Sequence, residues 1–153
     1  MLNQPMLQEQ EPKQITYPNG MQAWYLNGQR HRTDGPAVVR PNGMQEWYLN
    51  GQRHRTDGPA VIRQDGREQW YQRGVPHRLQ GPALIYPSGY RAWCVNNQRH
   101  RTDGPAVILA NGQQEWWANG ENITAQVISW MQQQGVVWPW DSAVQTQFVL
   151  SFL

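Results

Sequence analysis

Four histidines, His31, His54, His77 and His100, follow one another at intervals of 23 residues, and the chain has one cysteine, Cys94. These residue types bind zinc or perform acid–base and nucleophilic work, so their spacing decides whether chemistry is available. If each interval adds two strands at about 4.8 Å, equivalent atoms stand roughly 10 Å apart, whereas metal ligands must lie about 2 Å from one ion. The histidines then form a line and never converge. No carboxylate or cysteine cluster complements any one of them, and Cys94 occupies a position held by Tyr in the neighbouring copies. No serine recurs beside them, and the glycines sit in turn signals and not in a phosphate-cradling loop. The expectation is structural hydrogen bonding for the histidines, with no catalytic set, no metal and no cofactor.

Arginine is the second residue type with chemical potential. Arg32, Arg55, Arg78 and Arg101 each follow a histidine directly. A guanidinium offers a flat fork of donors to carboxylates and phosphates, and such a row would suit an acidic protein surface, a nucleotide or a nucleic-acid backbone. The copies can be used against one another. Arg30, Arg53 and Arg99 give way to Pro76 in the third copy, where Asp34, Asp57 and Asp103 give way to Gln80. Joint loss predicts the pairs Arg30–Asp34, Arg53–Asp57 and Arg99–Asp103. The arginine after histidine persists in all four copies, including the one that lacks the aspartate, and these four form the candidate binding row. The competing role for them is to cap the Trp and Tyr rows by cation–π contact.

Those rows share the same interval. Trp24, Trp47, Trp70, Trp93 and Trp116 never vary, and the next position reads Tyr25, Tyr48, Tyr71, Cys94 and Trp117. Adjacent residues of a strand point to opposite faces. The Trp row is read as the core ladder, and Tyr25, Tyr48, Tyr71 and Trp117 as a candidate aromatic face. Each copy carries two turn signals. One is Asn19-Gly20 and its equivalents, preceded by Pro at 18, 41 and 87; the other is Asn27-Gly28 and its equivalents. Asn-Gly between short alternating segments predicts type I′ hairpins. Gly-Pro-Ala, beginning at 35, 58, 81 and 104, reads as a corner. There Gly supplies a conformation other residues avoid, and Pro ends the strand ladder.

The motif Trp-x-x-Asn-Gly-x-x-His, its 23-residue period and its paired Asn-Gly turns resemble the MORN (membrane occupation and recognition nexus) repeat. The match is nearest the MORN-like variants of bacteria, bacteriophages and large DNA viruses, over about residues 15–120. MORN repeats usually place Gly after the histidine; here Arg stands there, followed by Thr-Asp-Gly-Pro-Ala, so no membrane role is carried over. The fold implied is an all-β, single-layer solenoid or meander of about five hairpin repeats. Repeat sheets of this kind imply binding, and the frequency of the family in phage genomes implies an inhibitor of a host defence protein.

Residues 1–14 are polar, Gln-rich and without period, and are read as a flexible arm. Residues 121–153 leave the period. Thr124 is expected to cap a helix over 125–134 with Val127, Ile128 and Met131 on one side, and Gly135 to end it. Asp141-Ser142 signals a second start. Trp130, Trp138, Trp140, Phe148 and Phe152 would cover the end of the solenoid as a short helical cap, or meet a partner or a second copy of the chain.

Composition narrows the function classes. Nine Trp and six Tyr stand against two Phe, and rings with a polar handle suit half-buried faces. Net charge is +2. Residues 15–120 hold twelve Arg and seven acids, a mild positive stripe of +5, and strong nucleic-acid binders usually carry more. With one cysteine there is no internal disulfide. No apolar run approaches the ~18 residues of a membrane span, and a cytoplasmic protein is expected, in a host cytoplasm if phage-encoded. The sequence thus points to a non-enzymatic module that engages a protein partner through its aromatic and Arg face. The alternative is an anion binder, acting on nucleic acid, a signalling nucleotide or an acidic lipid headgroup through the Arg row.

Overall fold

The computed structural model describes residues 10–153. Within them the chain forms a long, open antiparallel sheet of eleven short strands, four two-stranded ladders beside it and two C-terminal helices. The first strand, Lys13–Thr16, pairs with Gln22–Leu26 in the register Lys13↔Tyr25 and Thr16↔Gln22. Lys13 and Gln14 therefore belong to the sheet and not to the expected arm, whose residues 1–9 lie outside the described residues. The sheet then advances in chain order, its successive strands joined alternately by a short turn and by an excursion that forms a two-stranded ladder.

The turns explain this regularity. Asn27 and Gly28 have φ of 50° and 76°, and Asn50 and Gly51 have 49° and 76°. Both central residues lie in the left-handed region, as a type I′ turn demands. The other turn signal behaves differently. At Pro18-Asn19-Gly20 only Gly20 has positive φ, and its N–H donates to the Tyr17 carbonyl at 2.9 Å. Pro18 has φ locked near −65°, so this connection adopts a type I turn closed by a left-handed glycine. Asn19 Oδ1 accepts the Met21 N–H at 3.0 Å and tightens it. The same bond recurs from Met44 to Asn42, Arg67 to Asp65 and Gln113 to Asn111.

From the second copy on, each tryptophan interrupts its strand. Gln45–Glu46 pairs on both sides within the long sheet, whereas Tyr48–Leu49 pairs with Gln52–Arg53 in a separate ladder. Trp47 bridges the two, its N–H donating to the Ala60 carbonyl and its carbonyl accepting from the His54 N–H. Strand residues directly opposite share a face, and the register aligns Ala23, Val38, Glu46, Val61, Gln69, Leu84, Ala92, Val107 and Glu115. Ala23, Val38, Val61, Ala92 and Val107 are sealed from solvent, as are Ala37, Ala60, Ala83 and Ala106 of the Gly-Pro-Ala corners. The deepest line of the protein is thus made of small aliphatic residues. Trp24, Trp47, Trp70 and Trp93 of the expected core ladder are half-buried, and Trp116 alone of that row is fully covered, at 3 % exposed.

Trp116 is covered by the helices. The first, α1, spans Thr124–Gln134 and ends at Gly135 in the left-handed conformation; the second, α2, spans Ser142–Phe152, with Asp141 accepting the Val144 N–H. Thr124 does not cap α1. Its hydroxyl takes the Trp116 N–H at 3.0 Å, because the strand end there needs an acceptor more than the helix start does. The buried side of α1 carries Val127, with Trp130 and Met131 packed alongside, while Ile128 faces out. Residues three and four positions on share a helix face with Val127, and the neighbour one position on does not. Trp116, Trp130, Trp138, Trp140, Phe148 and Phe152 gather in one cluster, with Trp140 and Phe148 ring centroids 4.8 Å apart.

Candidate functional site: the arginine–tryptophan face

The four row arginines fold back over the tryptophan row. The Arg32 guanidinium lies 4.0 Å above the Trp24 ring, Arg55 4.0 Å above Trp47, Arg78 3.9 Å above Trp70 and Arg101 4.0 Å above Trp93. Each also donates to the carbonyl of the proline four residues on, at 3.3 Å for Pro36 and Pro59, 3.1 Å for Pro82 and 3.2 Å for Pro105. This explains the glycine of Gly-Pro-Ala better than backbone freedom does. Gly35, Gly58 and Gly104 do not have positive φ. A Cβ on Gly58 would stand 2.7 Å from the Arg55 guanidinium carbon, and one on Gly35 3.1 Å from that of Arg32. The glycine is there for space.

The ion pairs differ from those expected. Asp34 accepts from Arg32 Nε at 2.7 Å, Asp57 from Arg55 Nε at 2.8 Å, and Asp103 from Arg101 Nε. The hydrogen bonds from Arg32 and Arg55 hold the Asp34 and Asp57 carboxyls below the usual carboxylate range. Arg30, Arg53 and Arg99 lie on the opposite face. Arg30 approaches the Tyr48 hydroxyl at 3.4 Å, Arg53 donates to Glu46 at 2.7 Å, and Arg99 lies 4.6 Å from the Trp117 ring centroid. Location decides the partners. Arg32 and Asp34 lie two apart in the same loop, whereas Arg30 is held in the strand paired with Tyr25.

The candidate aromatic face is an interior one. Tyr48 and Cys94 are buried there, and Tyr25, Tyr71 and Trp117 half-buried. Burial pushes the Cys94 thiol up, away from the reactive thiolate. Glu46, 1 % exposed, is the residue that sequence reasoning left without a role. It accepts from Arg53 at 2.7 Å, the Tyr48 hydroxyl at 3.2 Å and Arg40 at 3.4 Å. Burial alone would raise its pKa. The Arg53 hydrogen bond and charge, with Arg40 and Tyr48, outweigh that and hold it below the usual carboxylate range. Nothing in the sequence singles it out, since the same position is Ala23, Gln69, Ala92 and Glu115 in the other copies, and Glu115 is only half-buried.

Each histidine clasps the next turn. His31 Nδ1 accepts the Asn50 N–H at 3.2 Å, His54 that of Arg73 at 3.2 Å, His77 that of Asn96 at 3.1 Å and His100 that of Asn119 at 3.1 Å. A ring nitrogen filled by a backbone donor satisfies that donor and ties adjacent hairpins together. Among the described residues, no three His, Cys, Asp or Glu side chains gather as metal ligands would.

Between successive loops the surface is grooved. One groove, of about 510 Å³, runs between the loops 32–36 and 54–57, with Trp47 and Leu49 in its floor. The next, of about 340 Å³, lies between the loops 55–58 and 77–80, with Trp70 and Gln72 in its floor. Both combine loop polar groups with an aromatic ring held flat under an arginine. No helix among the described residues is long and apolar enough to cross a membrane. No protein-family model matches the chain, and no curated protein sequence matches it.

Proposed function

We propose that this chain is a non-catalytic binding module, a MORN-like solenoid of about five hairpin repeats, that engages a protein partner through the loop face above its tryptophan row. The observation that carries the reading is the series of grooves between loops, each presenting a flat ring, a guanidinium and exposed loop groups. Rings and arginines are the residue types that anchor protein interfaces, and an extended repeat surface offers several such anchors in line. The resemblance to MORN-like proteins of bacteriophages favours a host protein as the partner. The anion-row alternative is weakened by Arg32, Arg55 and Arg101. Each of these spends Nε on its own aspartate, one terminal nitrogen on a carbonyl and one face of its guanidinium plane on tryptophan.

Affinity capture from the native cell tests this. Thr33, Thr56 and Thr102 are exposed at the loop tips, so Arg there would crowd the loop face without touching the core. One specific protein, retained by the wild type and by a control with Arg at exposed Gln64, but lost with Thr33→Arg/Thr56→Arg/Thr102→Arg, is the expected result. Equal loss with the control, or recovery of nucleic acid alone in a salt-sensitive manner, overturns it.

A further inference from the structure

The third copy breaks the pattern, and part of the break falls on the loop face. Where other copies read Thr-Asp after the arginine, it reads Leu79-Gln80. Arg78 keeps its place over Trp70 and its bond to the Pro82 carbonyl. Among the described residues no carboxylate pairs with it, while Arg32, Arg55 and Arg101 each have one. Leu79 is 76 % exposed. The backbone changes too, since Gly81 has φ of 121° where Gly35, Gly58 and Gly104 stay out of the left-handed region. Trp70, Arg78, Leu79 and Gln80 border one groove of about 340 Å³, whose other wall carries Asp57 held by Arg55.

We propose that this groove takes an acidic side chain of the protein partner, with Arg78 as counter-ion and Leu79 as the apolar contact beside it; this rests on the loop face being the binding surface. The other copies display the geometry. In each, a carboxylate oxygen sits against the arginine Nε, at 2.7 Å for Arg32 and 2.8 Å for Arg55. The third copy preserves the guanidinium in the same pose and supplies no carboxylate, so the partner supplies it. A charge-assisted bond to a guanidinium already oriented by a ring and a carbonyl loses little rotamer freedom on binding. Leu79 makes the occupant a protein side chain and not a phosphate chain. An apolar group next to the charge matches the edge of a protein interface, and the flanking arginines, neutralised by their own aspartates, offer no continuous cationic track for nucleic acid.

The test uses the full chain with labelled arginine side chains and two capped peptides, acetyl-Gly-Asp-Leu-Gly-amide and its Asn counterpart. The Asp peptide is expected to shift the Arg78 Nε–H resonance saturably and leave those of Arg32 and Arg101, which lie outside this groove, in place, and the Asn peptide to bind at least about tenfold more weakly. Leu79→Thr/Gln80→Asp restores the sequence of the other loops. It should melt no lower than wild type, move the free Arg78 resonance toward those of Arg32, Arg55 and Arg101, and abolish the peptide shift. Arg78→Gln, if the double change disturbs the loop, should abolish it too. Equal binding of both peptides, no shift, undiminished shift in the double variant, or stronger perturbation of Arg78 by a single-stranded oligonucleotide overturns the assignment. With the captured protein, loss on Thr33→Arg/Thr56→Arg/Thr102→Arg but retention on Leu79→Thr/Gln80→Asp overturns this site and leaves the loop face standing. Retention by both overturns the loop face itself.

Discussion

Replacing Arg55 by Ala separates an arginine that holds the fold from one that merely decorates it. Three contacts are lost. The guanidinium lies 4.0 Å above Trp47, a half-covered cation–π contact of about 1 kcal/mol. Its bond to the Pro59 carbonyl, at 3.3 Å, is charge-assisted and long, so about 1.5 kcal/mol is appropriate. The pair with Asp57, whose side chain is 80 % exposed, adds little because water screens it. The loss of about 2.5 kcal/mol corresponds to a fall in melting temperature of roughly 5–10 °C for a chain of this size. Thermal unfolding followed by circular dichroism and by tryptophan fluorescence measures it, and Asp57→Asn is the control that should barely move the midpoint. An Arg55→Ala protein melting within about a degree of wild type would refute the assignment, because the row would then be free of structural duty and available to an anion.

Two further outcomes follow from particular contacts. Glu46→Gln should cost about 1–2 kcal/mol at neutral pH, since Arg53 and Arg40, whose side chains are 32 % and 39 % exposed, then face a neutral amide. Its folded pKa is depressed, so the stabilisation is full above the unfolded carboxylate value and is lost as pH falls through the folded one. The gap between wild type and Glu46→Gln in melting temperature should therefore hold above the ordinary glutamate value of about 4.3 and close as pH falls below it. Gly104→Ala should loosen the helical end, because its Cβ would stand 2.7 Å from Trp138 Nε1, a packed ring that cannot swing away as the tip of Arg55 can. Overpacking of about 1–3 kcal/mol is expected, seen as faster amide exchange over 124–152 with little change over 45–95; uniform exchange would contradict it.

The legible part of this fold was whatever repeats. Asn-Gly pairs mark turns, so hairpins at 27–28 and 50–51 were legible, while the pairs at 19–20, 42–43 and 111–112, where only the glycine has positive φ, took a different turn from the one expected. The C-terminal helices announced themselves through Gly135 and Asp141. Less legible was which face each arginine takes. Arg30 and Asp34 vanish together in the third copy, yet Asp34 belongs with Arg32, because co-loss in one copy carries no information about direction in space. Burial order was hidden for a related reason. Tryptophan is the largest apolar residue in the repeat, but its ring is covered by a guanidinium rather than by another layer, while the sealed positions belong to Ala and Val under the corners. Glu46 was invisible as a site, since a single carboxylate on a strand face is normally solvated, and only three convergent donors make it an interior charge. Arg78 was read only as the arginine of the row that persists where the aspartate is lost. Its lack of a carboxylate becomes informative once the other three are seen to have one.

The central claim is that the loop face binds a partner and the other surfaces position it. Amide exchange on the full chain, with and without the protein recovered by capture, addresses it directly. The account predicts slowed exchange over residues 31–36, 54–59 and 77–82, with the turns at 41–43 and 64–66 unchanged. Protection confined to those turns, or to the helices at 124–152, with the loops exchanging as in the free chain, would contradict it.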